Sequence, residues 1–231
     1  MPQHSTEITA SPGNIKAPRQ IMPGIFAFTP NRDTLGATSY LIVDKIGNFL
    51  FDCPAWNEVN QQFIQSQGGI ESLIISHRGG IGKNVLEMQQ TLNCQVIMQE
   101  QEAYLLPEVE VISFSDRLTI SPDLELFWTP GHSPGSSCLH TKNHGGMLFT
   151  GRHLLPKSQT EIVPLRTPKT FHWGRQLNSI AQLRDRFDAS SLEYILPGAN
   201  TGYLRGKGYI DRATEKLAQL DLTALSATEA S

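Results

Sequence analysis

What the chain lacks narrows its reading before any motif is considered. It has three cysteines in 231 residues, Cys53, Cys94 and Cys138. They are odd in number and without Cys-x-x-Cys spacing, which argues against a zinc or disulfide framework and marks them as small buried residues of a reducing compartment. No apolar run approaches the ~20 residues of a membrane-spanning helix, so no membrane insertion is expected. Residues 1–20 hold Pro, Gly, Ser and Thr but no apolar core of a signal peptide, which makes the expected location cytoplasmic. Charge of one sign is also missing. With 19 Lys+Arg against 22 Asp+Glu, a net charge of -3, there is no general attraction to nucleic acid or acidic lipid, and no strong nucleic-acid binding is expected. A hydrophobic share of 39% with 18% charged residues excludes a disordered chain, and the length suffices to bury a proper core.

In order, residues 1–20 read as a flexible N-terminal arm and 21–222 as a single domain, with 223–231 as a frayed tail. Strand-like runs at 25–28, 39–43 and 48–51 are separated by turn residues and form an antiparallel meander. A helix is expected over 56–67, stopped by Gly68-Gly69, and then a short buried strand over 72–76. A glycine-rich turn, 77–83, leads into a helix over 84–92, a strand at 95–98 and a helical turn around 100–105. The second half repeats this order. Strands at 110–114, 117–120 and 124–128 are followed by a hairpin of 138–141 and 147–150. A Pro/Thr-containing connection over 152–172 is long enough to be functional. An amphipathic helix over 173–187, a strand at 192–196 and a last helix over 209–220 complete the pattern.

Residues 128–136, Trp-Thr-Pro-Gly-His-Ser-Pro-Gly-Ser, form a loop between two strands, stiffened by prolines and turned by glycines, that holds His132 at a fixed place. This segment resembles the loop that delivers a metal-binding histidine in the metallo-β-lactamase superfamily. The resemblance runs from about 21 to 220 and implies an α+β fold, a four-layer αββα sandwich of two mixed β-sheets flanked by helices.

In dinuclear hydrolases of that superfamily, the resemblance implies a His-x-His-x-Asp-His turn, the histidine loop, a Thr-Gly-Asp and a Pro-Gly-His. Here the first turn keeps His77, but Gly79 stands at the second histidine, Ile81 at the aspartate and Gly82 at the third histidine. Thr150-Gly151-Arg152 replaces the bridging carboxylate by a guanidinium, and Pro197-Gly198-Ala199 replaces the final histidine. Of seven implied ligands only His77 and His132 remain, whereas zinc takes three or four protein ligands. A guanidinium ~4 Å from a dication at an effective dielectric of ~20 costs on the order of 8 kcal/mol, and Arg152 cannot be neutralised. The expectation is a degenerate site with no metal cofactor. The alternative is one Zn, Mn or Fe ion, with His153 as the substitute ligand.

The replacements suggest an anion-binding cleft. Arg152 stands where cations would sit, joined by Arg78, Lys83 and the amides of Gly79 to Gly82 ahead of a helix. His77 and His132 serve as hydrogen-bond partners, and His153 and Asn200 complete the candidate set. The competing reading is that Arg152 fills the hole and pairs with Asp52 to stabilise the fold.

Other signals weigh less. Residues 79–84 depart from a P-loop at its first glycine and its Ser/Thr, and they fail GxGxxG. Gly131-His132-Ser133-Pro134-Gly135 satisfies GxSxG, but in a strand-loop-strand context rather than the strand-turn-helix a nucleophile elbow needs. His140 and His144 are expected to be solvated, His172 to pack against or cap the start of a helix, and Cys53 to pack. The connection bearing Lys157, Arg166, Lys169, His172 and Arg175 is read as a solvated loop, with an acidic protein or RNA as the other option. The functional expectation is a pseudoenzyme, a non-catalytic protein that binds an anionic small molecule or a protein partner. The alternatives are an atypical hydrolase of an ester, thioester or phosphoester, and an assembly factor with an empty cleft.

Overall fold

The computed structural model describes residues 16–227. Residues 1–15 and 228–231, which hold most of the expected arm and the end of the expected tail, lie outside the described residues. Strands β1 (Arg19–Met22), β2 (Ile25–Ala27), β3 (Tyr40–Asp44), β4 (Gly47–Phe51), β5 (Ser72–Ile75), β6 (Gln95–Gln99) and β7 (Val111–Phe114) form one sheet in chain order. Its first three pairings are antiparallel and its last three parallel. The parallel crossovers carry α1 (Glu58–Ser66), α2 (Val85–Leu92) and the short α3 (Glu100–Ala103). The second sheet has β8 (Arg117–Ser121), β9 (Leu124–Trp128), β10 (Ser137–Thr141), β11 (Met147–Gly151) and β14 (Tyr194–Pro197) in the order β14-β11-β10-β9-β8. Only β11–β14 is parallel in that sheet. A small hairpin of β12 (Leu155–Pro156) and β13 (Ile162–Val163) lies in the long connection before α4 (Trp173–Arg186).

The layers follow from the two-residue period of the strands. On β3 and β4, Tyr40, Ile42, Phe49 and Phe51 enter the cluster shared with Leu126, Leu139, Met147 and Phe149 of the other sheet, while Leu41 and Leu50 face Ile64, Val85 and Met88 of α1 and α2. On the second sheet Phe127, Cys138, Leu148 and Ile195 turn the other way, onto Leu177, Ile180 and Leu183 of α4. The result is helices, sheet, sheet, helices, as the resemblance implies. Each of these large side chains is worth about 1.5–3 kcal/mol when fully buried, and Tyr40, Phe51 and Phe149 bind the two sheets through tilted and edge-on ring contacts of 5.4 and 5.6 Å.

Two expectations at the C-terminal end are corrected. The last helix does not span 209–220: Ile210 bridges Ile195, extending the sheet edge, and α5 (Ala213–Ala218) starts only after Arg212 at φ 51. The region expected to be frayed from 223 instead contains α6 (Leu222–Ser226), capped by Asp221 accepting from the Ala224 amide. Trp173 Nε1 donates to the Leu225 carbonyl at 2.9 Å, and Leu222 and Leu225 pack on the α4 cluster, which is what holds the segment. Among the described residues no helix is long and apolar enough to cross a membrane.

Candidate functional site

The ends of β4, β5 and β11, together with the β9–β10 loop, meet at one edge of the sandwich. Asp52 leaves β4 in a left-handed conformation, φ 59, which a short polar side chain tolerates better than most. This turns its buried carboxylate under the end of β5. Oδ1 accepts from the Ser76 amide and Oδ2 from the Ser76 hydroxyl, both at 2.8 Å. Ser76 Oγ in turn lies 2.7 Å from His77 Nδ1. Because the hydroxyl proton is given to Asp52, Oγ accepts from Nδ1–H, and His77 Nε2 is left as a lone pair. That atom is buried and has no partner. Burial first, then His132 and the charges of Arg152 and Arg78, holds the His77 pKa well below its ordinary value. Burial pushes Asp52 up to about 6 against its two Ser76 hydrogen bonds and the Arg152 charge.

The chain Asp52–Ser76–His77 fixes a tautomer, which gives a prediction. In Asp52→Asn the Nδ2 group would face Ser76 Oγ and donate, so the serine hydroxyl turns to donate to His77 Nδ1 and the imidazole proton moves to Nε2. Nitrogen-15 NMR of the His77 ring reads the protonated nitrogen directly. An Asp52→Asn protein with the proton still on Nδ1 would refute the relay.

The glycine run beneath this chain makes room for the side chains around it. A Cβ on Gly79 would stand 2.9 Å from His77 Nε2, and one on Gly80 would strike the Asp52 carboxylate. Two of the four amides expected in an anion cradle are engaged within the chain: the Gly80 amide donates to the His77 carbonyl at 2.8 Å and the Ile81 amide to the Arg78 carbonyl at 3.4 Å, closing a 3-10 turn over Arg78–Gly80. Gly82 packs on Cys53, with 2.9 Å between a built Cβ and the cysteine Cβ.

His132 completes the floor, its ring 5.2 Å from that of His77 at 69°. Burial, then Arg152 and Arg78, lowers its pKa to about 4. His153 is buried with both ring nitrogens unpartnered, and burial with the nearby His132 takes it down to about 3. Arg152 makes no contact ion pair with Asp52 among the described residues. Its Nη2 donates to the carbonyls of Leu35 at 2.7 Å and Thr34 at 3.2 Å. The reading of Arg152 as a contact partner of Asp52 is thereby corrected. The oxygens of Asp52 are taken by Ser76, while the left-handed turn at Leu35, φ 55, offers carbonyls, and the Arg152 charge acts on Asp52 only through space. No group of three or more His, Cys, Asp or Glu converges to hold a metal ion among the described residues. With Arg152 acting on both imidazoles, the residues present do not fit the dinuclear centre that the resemblance implies.

Above the floor opens a cleft of about 820 Å³. Its cations are Arg78, Arg152 and Lys169; its apolar wall is Leu35, Leu155, Leu165 and Pro168, with His132, Gly79 and Thr167 between. Among the described residues no carboxylate lines it. Glu102, buried behind the wall, accepts from the Arg78 amide at 2.7 Å and sits 3.9 Å from Arg78 Nε, balancing one of the three charges. The structure thus brings together Arg78, Gly79, His132 and Arg152, with His77 and His153 buried beside them. It sets three candidates apart: Gly82 behind Cys53, Lys83 on the surface in a 2.7 Å pair with Asp33, and Asn200 exposed in a separate depression. The apolar wall has no motif in the sequence; of its neighbours on the long connection only Lys169 carries a signal, as part of the basic run.

The minor signals also resolve. Burial pushes the Cys53 thiol up to about 12, which suits packing. Ser133 is buried, with its hydroxyl 3.1 Å from that of Ser136. His172 caps α4 by accepting from the Arg175 amide at 3.1 Å. His140 is not solvated as expected: it is buried between Phe127 and Phe187, with Nε2 2.9 Å from the Ser191 carbonyl. His144 is exposed, as expected, with Nε2 2.9 Å from the Pro23 carbonyl.

No protein-family model matches the chain. Among solved structures it is similar to a metallo-β-lactamase from Pontibacter korlensis, with a TM-score of 0.67, 15% identity, and coverage of 91% of this chain and 99% of that one. It is also similar to a metallo-β-lactamase superfamily protein from Sulfolobus tokodaii, with a TM-score of 0.62, 13% identity, and coverage of 89% and 87%. A curated relative, the acyl-coenzyme A thioesterase MBLAC2 of Gallus gallus, is 31% identical over 115 residues. That match spans 47% of this chain and only 38% of the relative. These likenesses show the fold: the chain has the metallo-β-lactamase fold.

Proposed function

We propose that this metallo-β-lactamase-fold protein is a non-catalytic binder of an amphipathic anion, a carboxylate or phosphate head carrying an apolar chain. The observation that carries the reading is the cleft itself, where Arg78, Arg152 and Lys169 face an apolar wall of leucines and Pro168 with no lining carboxylate among the described residues. A guanidinium that is not compensated by a contact carboxylate recognises a carboxylate or phosphate through charge-assisted hydrogen bonds. His132, kept neutral by burial and the two arginines, adds a hydrogen-bonding group at the inner end without adding charge. The apolar wall then contributes by area buried. The relative that acts on acyl thioesters supports an acyl chain as the apolar part.

Calorimetric titration with dodecanoate tests this. Saturable binding at one site per chain is expected, weakened about ten-fold or more in Arg152→Ala, the loss of a charge-assisted hydrogen bond worth ~1.5–3 kcal/mol. Because Arg152 also anchors the turn at Leu35, the surface variant Lys169→Glu is included, and it should weaken binding while leaving the melting temperature in place. Dodecanoate that fails to saturate, or binds both variants as well as the parent, would sink the proposal.

A second reading, hydrolysis of an acyl thioester, is favoured by one observation: the Asp52–Ser76 pair orients His77 and leaves its Nε2 as an unpartnered acceptor. Release of free thiol from dodecanoyl-coenzyme A above the uncatalysed rate, abolished in His77→Ala, would put this reading first.

A further inference from the structure

A second depression opens on the far side of β12, about 730 Å³, and it contains Asn200, the one candidate that stands apart from the cleft in a pocket of its own. Its chemistry differs from that of the cleft. Tyr203 is 56% exposed, on a 3-10 turn over Thr201–Leu204. Among the described residues, Lys157 and Arg205 are exposed beside it and make no ion pair, and no acidic side chain lines the depression. Ser158, Gln159 and Asn200 add uncharged donors and acceptors, and Gly202 has open space where a side chain would project.

The Tyr203 ring offers an open face for stacking, and the two cations beside it make no ion pair among the described residues, so they can meet an anion of more than one charge. We infer that this depression is a nucleotide-diphosphate subsite, with the base stacked on Tyr203, the phosphates held by Lys157 and Arg205, and polar groups of the sugar and base met by Asn200 and Gln159. Bases stack on aromatic rings whatever their sequence, and two cations match a diphosphate by charge. The inference stands on these residues alone and does not depend on what fills the cleft. The two are neighbours nonetheless: Leu155 lines one and Lys157 the other, and two residues of extended chain span ~6.5 Å. A thioester whose carrier ends in a nucleotide diphosphate would therefore reach from one to the other, a consequence that rests on the reading of the cleft given above.

The test is calorimetric titration of the full chain with adenosine 5′-diphosphate, with inorganic pyrophosphate as the comparison. Saturable binding of the nucleotide is expected, reduced at least about five-fold by Tyr203→Ala, the loss of one stacked base, restored by Tyr203→Phe, and reduced again by Arg205→Ala. Arg152→Ala and Lys169→Glu should leave it unchanged, since neither lines this depression. Each substituted side chain of the depression is at the surface, so an unaltered melting temperature will confirm folding. Failure to saturate, binding as tight in Tyr203→Ala as in the parent, or pyrophosphate binding as tightly as the nucleotide would each overturn the assignment. Nucleotide binding without dodecanoate binding would uphold this subsite and remove the cleft proposal; the reverse would do the opposite.

Discussion

Taking the protein from pH 7 to pH 5 is expected to remove roughly 2–3 kcal/mol of unfolding free energy from His132, His153 and Asp52 together. His132 and His153 have folded pKa values of about 4 and about 3, below the ~6.5 of an unfolded imidazole. As pH falls from 7 to 5 the unfolded chain takes up protons at both rings and the folded chain does not, so stability is lost, by about 2 kcal/mol for each ring. His77, whose folded value is depressed still further by burial, adds in the same direction. Asp52 opposes them. Its folded value of about 6 lies above the unfolded 3.8, so the folded state takes its proton first and regains about 1 kcal/mol over the same interval. The imidazoles win by number. Urea midpoints at pH 7, 6 and 5 measure the slope, and His153→Gln, which keeps a neutral polar group there, should flatten it. A midpoint that holds steady or rises toward pH 5 would mean that the rings are charged in the folded state.

The same burial explains which parts of the molecule can be read from residues. Strands are legible because alternation along 40–51, 96–98 and 147–149 divides side chains between two cores, and the divided residues are where the alternation puts them. The segment 209–212 misleads because Tyr-Ile-Asp-Arg suits a helix locally, while the bridge of Ile210 to Ile195 is a long-range pairing that no local pattern records. His140 misleads for a similar reason: it sits next to a hairpin turn, but the ring that covers it, Phe187, comes from the end of α4.

At the site, the residues that replace charged ligands are identifiable by position, yet what they do is not. Whether Arg152 meets Asp52 or the carbonyls at Leu35 depends on a left-handed turn far away in sequence. The glycines after His77 look in sequence like an anion cradle. In three dimensions Gly79 and Gly80 instead leave the room that His77 Nε2 and the Asp52 carboxylate occupy, which no side chain there would allow. The apolar wall of the cleft comes from Leu35, Leu155 and Leu165, which belong to three separate segments, and no local pattern joins them.

Gly131→Ala is expected to cost more than ~3 kcal/mol, in the range reserved for substitutions that force backbone to move. Gly131 has φ 145, where an L side chain is strained, and its Cβ would collide with the backbone and Cβ of Gln176 in the first turn of α4. Neither side of that contact can retreat cheaply. The His172 amide donates to the Gly131 carbonyl at 2.9 Å and the Phe171 amide to the His132 carbonyl at 3.1 Å. Gln176 itself is buried, with Nε2 donating to the His153 carbonyl at 3.0 Å. Displacing α4 would therefore disturb His132 and His153 together, and with them the inner end of the cleft. Gly202→Ala provides the contrast, since nothing lies within 4 Å of its Cβ position, and it is expected to change stability by no more than ~0.5 kcal/mol. Chemical denaturation of the two variants compares them directly, and dodecanoate titration of whatever Gly131→Ala protein remains folded reports on the cleft. If Gly131→Ala were as stable as Gly202→Ala, the close approach of the histidine loop to α4 could not be what fixes His132, and the geometry assigned to the floor of the cleft would have to be given up.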